Sequence, residues 1–139
     1  MAHITRAIVE TEGPIHQDEV ARRVTSLFGK SRTGSLIATA SLKSLMVLEN
    51  SSALVEEDGF WMTPSQLVDP SVRDRGSAPI SLQRADMLSP REIRAAAKIA
   101  NRENGDLSGD EMAMAVTRLL GFKRTGPELR AVIAKALLE

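Results

Sequence analysis

One segment of this chain occurs twice, and that repetition limits the possible folds more than any other feature of the sequence. Residues 18–34 read DEVARRVTSLFGKSRTG, and residues 110–126, which lie 92 positions later, read DEMAMAVTRLLGFKRTG. Ten of these seventeen positions are identical without a gap, which is hard to ascribe to chance. We therefore interpret the chain as two copies of one structural unit.

The first copy is predicted to contain three short helices, over residues 4–12, 17–28 and 35–48. Gly13-Pro14 ends the first helix, because proline cannot continue a helix, and Gly29 ends the second. Four apolar residues of the second helix fall at the spacing of one buried face, namely Val20, Val24, Leu27 and Phe28.

The second copy carries a Ser/Thr-x-x-Glu pattern ahead of each of its apolar runs. The patterns begin at Ser89, Ser108 and Thr125, and each is typical of a capping box at a helix N-terminus. The predicted helices of this copy cover residues 90–103, 109–120 and 127–138.

A β-hairpin is predicted after the third helix of the first copy. Ala53-Leu54-Val55 and Phe60-Trp61-Met62 flank a turn that contains Asp58-Gly59, a strong short-range hairpin signal. Three helices followed by such a hairpin make a winged helix-turn-helix.

The sequence thus predicts a mainly α fold with three parts. Residues 1–62 form the winged helix-turn-helix, and residues 63–88 form an extended connector in which Thr63 caps at most a single helical turn. Residues 89–139 form a second, wingless three-helix copy of the same unit.

The composition excludes several classes of function. Eighteen Lys and Arg balance eighteen Asp and Glu, so no global field draws the chain to nucleic acid or to an acidic membrane. The chain has no cysteine, no tyrosine and two histidines, so we expect no catalytic residues, no metal site and no cofactor. No apolar run is long enough to span a bilayer, and we expect a cytoplasmic protein. Four aromatic rings are fewer than a single-strand binder built on stacking platforms normally uses.

Basic residues cluster in the turn before the third helix of each copy, where a helix-turn-helix meets DNA. The candidate nucleic-acid contacts are Lys30, Arg32, Ser35, Thr39, Lys43, Lys123, Arg124 and Arg130. Lys43 is the one long basic or amide side chain on the outer face of the predicted recognition helix, which favours phosphate contacts over base reading. The repeated Arg-Thr-Gly is equally explained by a threonine cap and a glycine turn, so both interpretations stay open.

The charge of each part bears on which copy would bind. It sums to −2 for residues 1–62 and +2 for residues 89–139, and the hairpin turn of the first copy is acidic. Regional charge therefore favours the second copy as the nucleic-acid face.

An alternative function is docking on a protein. Leu42 and Met46 would form an apolar patch on the third helix, and a second copy of the chain is one candidate partner. Trp61 is a further candidate contact, although burial beneath the hairpin is its commoner role. A standalone transcription regulator is the least favoured alternative, because it would need a base-reading helix.

The first copy also contains a motif made of Glu12-Gly13-Pro14-Ile15-His16, Asp18-Glu19-Val20-Ala21-Arg22-Arg23, and Arg32 and Gly34 ahead of Ile37. Over about residues 4–48 the chain resembles the small C-terminal domain of unknown function of large bacterial superfamily I DNA/RNA helicase-related ATPases. The resemblance implies an accessory winged-helix module whose partner is nucleic acid, DNA foremost, or a helicase motor domain. The chain contains no GxxxxGK[ST] phosphate loop, so any ATPase activity would belong to a motor outside it.

Overall fold

The computed structural model is mainly helical and divides into two compact units, Met1–Asp69 and Pro70–Glu139. It describes residues 1–30 and 32–138, without the side chain of Ser81. Over these residues it contains seven α-helices and one three-stranded antiparallel sheet. None of the helices in this described part has the length and apolar character needed to cross a membrane.

Unit 1 packs three helices against a small sheet. Its elements are α1 (Ala2–Glu12), β1 (Ile15–His16), α2 (Gln17–Leu27), α3 (Ser35–Asn50), β2 (Val55–Glu57), β3 (Phe60–Met62) and α4 (Pro64–Val68). The strand order is β1-β3-β2, and Ile15 pairs with Trp61 while Glu56 pairs with Trp61 from the other side. The core lies between the three helices and β3, and its buried members are Ile8, Val9, Ile15, Val20, Val24, Leu45, Leu48, Leu54 and Trp61.

The hairpin of unit 1 forms with Asp58-Gly59 at its turn as predicted, but its first strand is Val55–Glu57 and not residues 53–55. Asp58 (φ 52°) and Gly59 (φ 86°) both adopt positive φ, as the two central residues of a type I′ hairpin turn require. The turn sets the register that places Phe60, Trp61 and Met62 in buried positions. Formation of the hairpin therefore places Trp61, the single tryptophan of the chain, in the core of unit 1.

Helix α4 closes the end of α1. The Thr63 hydroxyl accepts from the Gln66 backbone N–H (3.1 Å), which completes the predicted helical turn with a capping box. Gln66 Nε2 donates to the carbonyls of Val9 (2.9 Å) and Glu10 (3.1 Å) in the last turn of α1, where the Val9 carbonyl also accepts from the Gly13 N–H (2.8 Å). This segment is thus an element of unit 1 and not part of an extended connector.

Unit 2 is a three-helix body with a long entering segment. Its helices are α5 (Pro90–Asn104), α6 (Gly109–Leu119) and α7 (Pro127–Leu138), preceded by two 3₁₀ turns at Ile80–Leu82 and Ala85–Met87. The buried core consists of Leu88, Ile93, Ala96, Ala97, Ala100, Met112, Val116, Leu120, Leu129, Ile133 and Ala136. Small alanines on α5 let the other two helices approach it closely.

The helices of the two units follow the 92-residue spacing of the repeat. Helix α2 begins at Gln17 and α6 begins 92 positions later at Gly109, and both are eleven residues long. Helix α3 begins at Ser35 and α7 begins 92 positions later at Pro127. The predicted helices all form, and each boundary lies within two residues of its predicted place.

A buried ion pair attaches the segment before α5 to unit 2. Arg75 donates from Nη1 to Glu92 Oε2 (2.8 Å) and from Nη2 to Glu92 Oε1 (2.7 Å), and the two side chains are 2% and 0% exposed. The Arg73 backbone N–H also donates to Glu92 Oε2 (2.8 Å), and the Arg75 N–H donates to the Leu120 carbonyl (2.9 Å). The prediction that residues 63–88 are only an extended connector is therefore wrong here, because the side chain of Arg75 is buried in unit 2 and completes a polar cluster.

Two of the predicted capping boxes do not form in full. Ser89 does cap α5, since its hydroxyl accepts from the Arg91 N–H (3.2 Å), but Glu92 binds Arg75 instead of closing the box. Ser108 precedes α6 without a side-chain cap, and its hydroxyl donates to Glu111 Oε1 (2.6 Å). Both helices still begin where the sequence pattern placed them.

Removing one partner of the buried ion pair should strongly destabilise unit 2. We expect Arg75→Met to lower the free energy of unfolding by about 3–5 kcal/mol, because it leaves the Glu92 carboxylate buried without its cation. The double change Arg75→Met/Glu92→Leu should restore part of that loss. Urea denaturation followed by circular dichroism, with hydrogen exchange of the α5–α7 amides, measures both.

The matched control is the exposed pair of Arg130 with Asp110 (2.7 Å) in the same unit. Asp110→Ala should cost at most about 1 kcal/mol, since exposed pairs contribute little. A cost for Arg75→Met no larger than that of this control would contradict the structural role of the buried pair.

Two equivalent glycines should differ in their tolerance of alanine. Gly29 (φ 73°) and Gly121 (φ 82°) both end a helix with positive φ, so alanine costs about 1–2 kcal/mol at either. A Cβ at Gly29 meets open space, whereas one at Gly121 would collide with Asp74 Oδ1 and the backbone nitrogens of Arg75 and Gly76. Gly121→Ala should therefore destabilise more, as measured by unit-resolved hydrogen exchange. Equal costs would argue against close packing of residues 74–76 on α6.

Candidate nucleic-acid interface

The turn between α2 and α3, residues 28–34, is held by backbone and hydroxyl hydrogen bonds. Beyond Leu27 the positive φ of Gly29 redirects the chain, and the Lys30 N–H donates to the Thr25 carbonyl (3.1 Å). The Thr25 and Thr33 hydroxyls are hydrogen-bonded to each other (2.9 Å), and Thr25 Oγ1 also donates to the Ala21 carbonyl (2.8 Å). We call residues 28–34 the first basic turn.

Residues 120–126, the second basic turn, repeat this arrangement in unit 2. Gly121 has positive φ, and the Phe122 N–H donates to the Thr117 carbonyl (3.1 Å). The Thr125 hydroxyl donates to Thr117 Oγ1 (2.8 Å), and Thr117 Oγ1 donates to the Ala113 carbonyl (2.7 Å). An equivalent pair of hydrogen-bonded threonines thus holds each of the two turns.

These bonds explain the repeated threonine and glycine but not the repeated arginine. Thr33 does not cap α3, because the N-cap residue is Gly34 and the Thr33 hydroxyl is bonded to Thr25. The predicted threonine cap of the third helix is therefore wrong in unit 1. Arg32 takes no part in the hydrogen bonds of the turn among the described residues.

The cations of unit 1 lie on its surface. Lys30, Arg32 and Lys43 are exposed, and none of them forms an ion pair with a described residue. A signal for this was present in the sequence, since residues 20–48 contain five Lys or Arg and no Asp or Glu. The net charge of −2 for residues 1–62 conceals a locally cationic segment that runs from α2 through the first basic turn into α3.

The cations of unit 2 lie closer to acidic groups. Lys123 and Arg124 are exposed, but Arg130 is paired with Asp110 (2.7 Å). Arg124 lines an open groove of about 660 Å³ together with Asp86 and Glu128. Although regional charge favoured the second copy, Lys30 and Arg32 lie in a stretch of sequence without acids, whereas Arg124 shares its groove with Asp86 and Glu128.

The outer face of α3 is mixed polar and apolar. Ser35, Thr39 and Lys43 are exposed on it, as the sequence predicted. Leu42 is 36% and Met46 is 50% exposed, and Leu36 and Val47 are also exposed. We call Leu36, Leu42, Met46 and Val47 the α3 apolar patch. Trp61, by contrast, is 2% exposed and packs in the core, so its ring is not available as a partner contact.

The acidic hairpin and His16 serve the fold of unit 1. Glu56 Oε2 accepts from the Gly59 N–H (2.7 Å), which stabilises the hairpin turn. His16 Nδ1 accepts from the Asp18 N–H (3.1 Å), so it caps α2, and its ring packs edge-on against Phe60 at 5.1 Å. The described residues contain no cluster of three or more His, Asp or Glu suited to a metal ion.

The helical pattern misplaced two residues, Leu27 and Phe28. The spacing put both on the buried face of α2, but they are 66% and 54% exposed. Leu27 is the last residue of α2, and Phe28 is its C-cap. An exposed ring therefore stands at the start of the first basic turn.

Residues 1–39 match the model of a family described as a protein of unknown function, DUF3320. The match covers α1, β1, α2, the first basic turn and the start of α3. The family description states no activity and no association with helicases. No curated protein and no solved structure gave a significant match.

Proposed function

We propose that this chain is a non-catalytic nucleic-acid-binding module that contacts phosphates without reading sequence. In this proposal unit 1 is a winged helix-turn-helix, and the helices of unit 2 are a wingless copy of it. The chain acts as an accessory part of a helicase-like protein, with DNA as the foremost partner. This helicase context rests on the motif between Glu12 and Ile37.

The observation that carries the proposal is the pair of matching turns. Each turn is fixed by its own threonine pair, so its lysine and arginine are not needed to hold the chain together. Exposed cations that serve no structural bond are free to neutralise phosphates, which supplies sequence-independent affinity. In unit 1 the acid-free stretch from Val20 to Leu48 surrounds them.

The backbone of α3 supports the same role. Gly34 is its N-cap residue and has no side chain to accept hydrogen bonds from the first-turn N–H groups. Those N–H groups and the helix dipole favour an anion beside Lys30 and Arg32. The acidic hairpin turn of Glu56, Glu57 and Asp58 repels phosphate. In this proposal the nucleic-acid strand therefore approaches unit 1 at the first basic turn and not at the hairpin.

The proposal predicts binding that weakens steeply with salt. Lys30→Ala/Arg32→Ala and Lys123→Ala/Arg124→Ala should each weaken binding and reduce the slope of log K against log salt by about two. The first pair should have the larger effect at low salt, because residues 20–48 contain no acid, whereas Arg124 shares its groove with Asp86 and Glu128. Fluorescence anisotropy with labelled duplex and single-stranded DNA at several salt concentrations measures this.

Arg6→Ala/Lys98→Ala is the control, because it removes two positive charges from exposed positions on α1 and α5, outside both turns. It should leave the salt slope nearly unchanged. A flat anisotropy trace for the unsubstituted chain at the lowest salt would overturn the proposal.

A protein-docking module is the second candidate function, and the exposed α3 apolar patch favours it. Such residues on one helix face of a small domain are typical of an interaction surface. A second copy of the chain or a helicase motor domain is the partner in this alternative.

If the patch joins two copies, the chain should be a dimer at micromolar concentration. Leu42→Ser/Met46→Ser should then convert it to a monomer, because the substitution removes the buried apolar area of the contact. Light scattering after size-exclusion chromatography measures the mass. Val68→Ser/Met114→Ser removes apolar residues elsewhere that are at least as exposed, and it should not change the mass. A monomeric unsubstituted chain would exclude this form of docking.

A further inference from the structure

Phe28 is a half-exposed ring next to the cations of the first basic turn. It is the C-cap of α2, and Lys30 and Arg32 follow two and four residues later. At 3.8 Å per residue the Cα atoms of Phe28 and Arg32 are at most about 15 Å apart. The exposed side chains of Leu27 and Leu36 flank the same turn. One short stretch of surface thus combines a flat apolar ring with positive charge.

The equivalent position in unit 2 carries no such ring. Leu120 stands 92 positions after Phe28 and is 0% exposed. Its carbonyl accepts from the Arg75 N–H (2.9 Å), and the backbone of Arg75 and Gly76 fills the space beside Gly121. Beside Gly29, the counterpart of Gly121, no atom lies within 4 Å of where a Cβ would stand. The ring of Phe28 is therefore exposed to solvent, because no described segment of unit 1 covers it.

We propose that Phe28 stacks on an unpaired base of a single-stranded nucleic acid whose phosphates are bound by Lys30 and Arg32. The inference rests on the proposed nucleic-acid binding and adds the strand type to it. It concerns one base on one ring, and not the platform of several rings that the four aromatic residues of the chain argue against. An aromatic ring beside cations matches a ligand that has flat apolar faces and a negative backbone. A duplex offers base edges in its grooves and keeps the base faces stacked on one another, so its faces are closed to this ring.

The charge of the residues near Phe28 favours a nucleic acid over an apolar protein surface as the ligand of its ring. The surroundings of Phe28 in the sequence, residues 20–48, carry five cations and no anion. Arg23 is paired with Glu12 (2.7 Å), but Lys30 and Arg32 form no ion pair with a described residue. A polyanion is complementary to that field, whereas a neutral apolar surface would desolvate the cations without compensating them.

The test compares labelled oligo(dT) with a blunt duplex of the same length on the full chain. Phe28→Ala should weaken oligo(dT) binding about fivefold or more and duplex binding less than twofold. Phe28→Leu keeps an apolar side chain but no ring, and should behave like Phe28→Ala. Phe28→Tyr should bind like the unsubstituted chain. Val68→Ala, which trims an exposed apolar residue outside the turn and the α3 apolar patch, is the control and should have little effect.

A fluorescent variant gives a second, direct readout. Phe28→Trp places an exposed indole at the turn, while Trp61 stays buried and reports that unit 1 is folded. Oligo(dT) should quench the added emission as bases stack on it, and the duplex should not. Normal Trp61 emission in the Ala and Leu variants excludes misfolding as the cause of weaker binding.

The outcomes separate the stacking inference from the proposed function. If Lys30→Ala/Arg32→Ala weakens binding but Phe28→Ala does not, stacking is wrong and the phosphate-binding proposal stands. If Phe28→Leu binds like the unsubstituted chain while Phe28→Ala does not, the contact is apolar and a ring is not required. If the unsubstituted chain binds neither probe at low salt, both proposals fail and a protein partner takes their place.

Discussion

A hydrogen bond between two threonine hydroxyls is the constraint on which the candidate interface depends in each unit. It joins Thr25 to Thr33 in unit 1 and Thr117 to Thr125 in unit 2, and it ties the second helix to the turn that follows. A glycine with positive φ redirects the chain just before it. Together these features set where the third helix starts. The lysines and arginines of the turns are left outside the bonds that define the fold, so their charge is available to a ligand.

The two units complete their cores by different means, and this decides what each one exposes. Unit 1 closes its core with the hairpin that carries Trp61. Unit 2 uses the segment before α5, which the buried Arg75–Glu92 pair attaches and which covers the end of α6. A buried ion pair adds little net stability, because the desolvation of the two charges offsets much of their attraction. Removal of one partner is nevertheless costly, because it leaves the other charge buried and unpaired. Among its described residues, unit 1 has no equivalent of this segment at the end of α2, so the ring of Phe28 is exposed while Leu120 is buried.

A neutral chain can still carry a cationic surface, because electrostatic attraction in salt is local. At 0.1 M ionic strength charges are screened beyond about 10 Å, so a phosphate responds to its neighbours and not to the net charge. The acids of unit 1 lie in α1, at the start of α2, at Glu49 near the end of α3, in the hairpin and at Asp69, whereas the stretch from Val20 to Leu48 carries five of its six cations and no acid. Under the proposed function, a polyanion would bind along this acid-free stretch. The mixed outer face of α3 is consistent with contacts to the backbone of a nucleic acid and not to base edges.

The sequence by itself determined the helices, the hairpin turn and the basic turns, because their signals are local. Proline and glycine stops, N-terminal caps and Asp58-Gly59 act within a few residues, so the element boundaries could be predicted closely. Only the tertiary structure decided the environment of Arg75, Glu92 and Phe28. Arg75 reaches Glu92 across seventeen residues, and no local pattern distinguishes a buried partner from a helix cap. Whether Phe28 is open depends on what packs against the end of α2, which is a property of the folded chain.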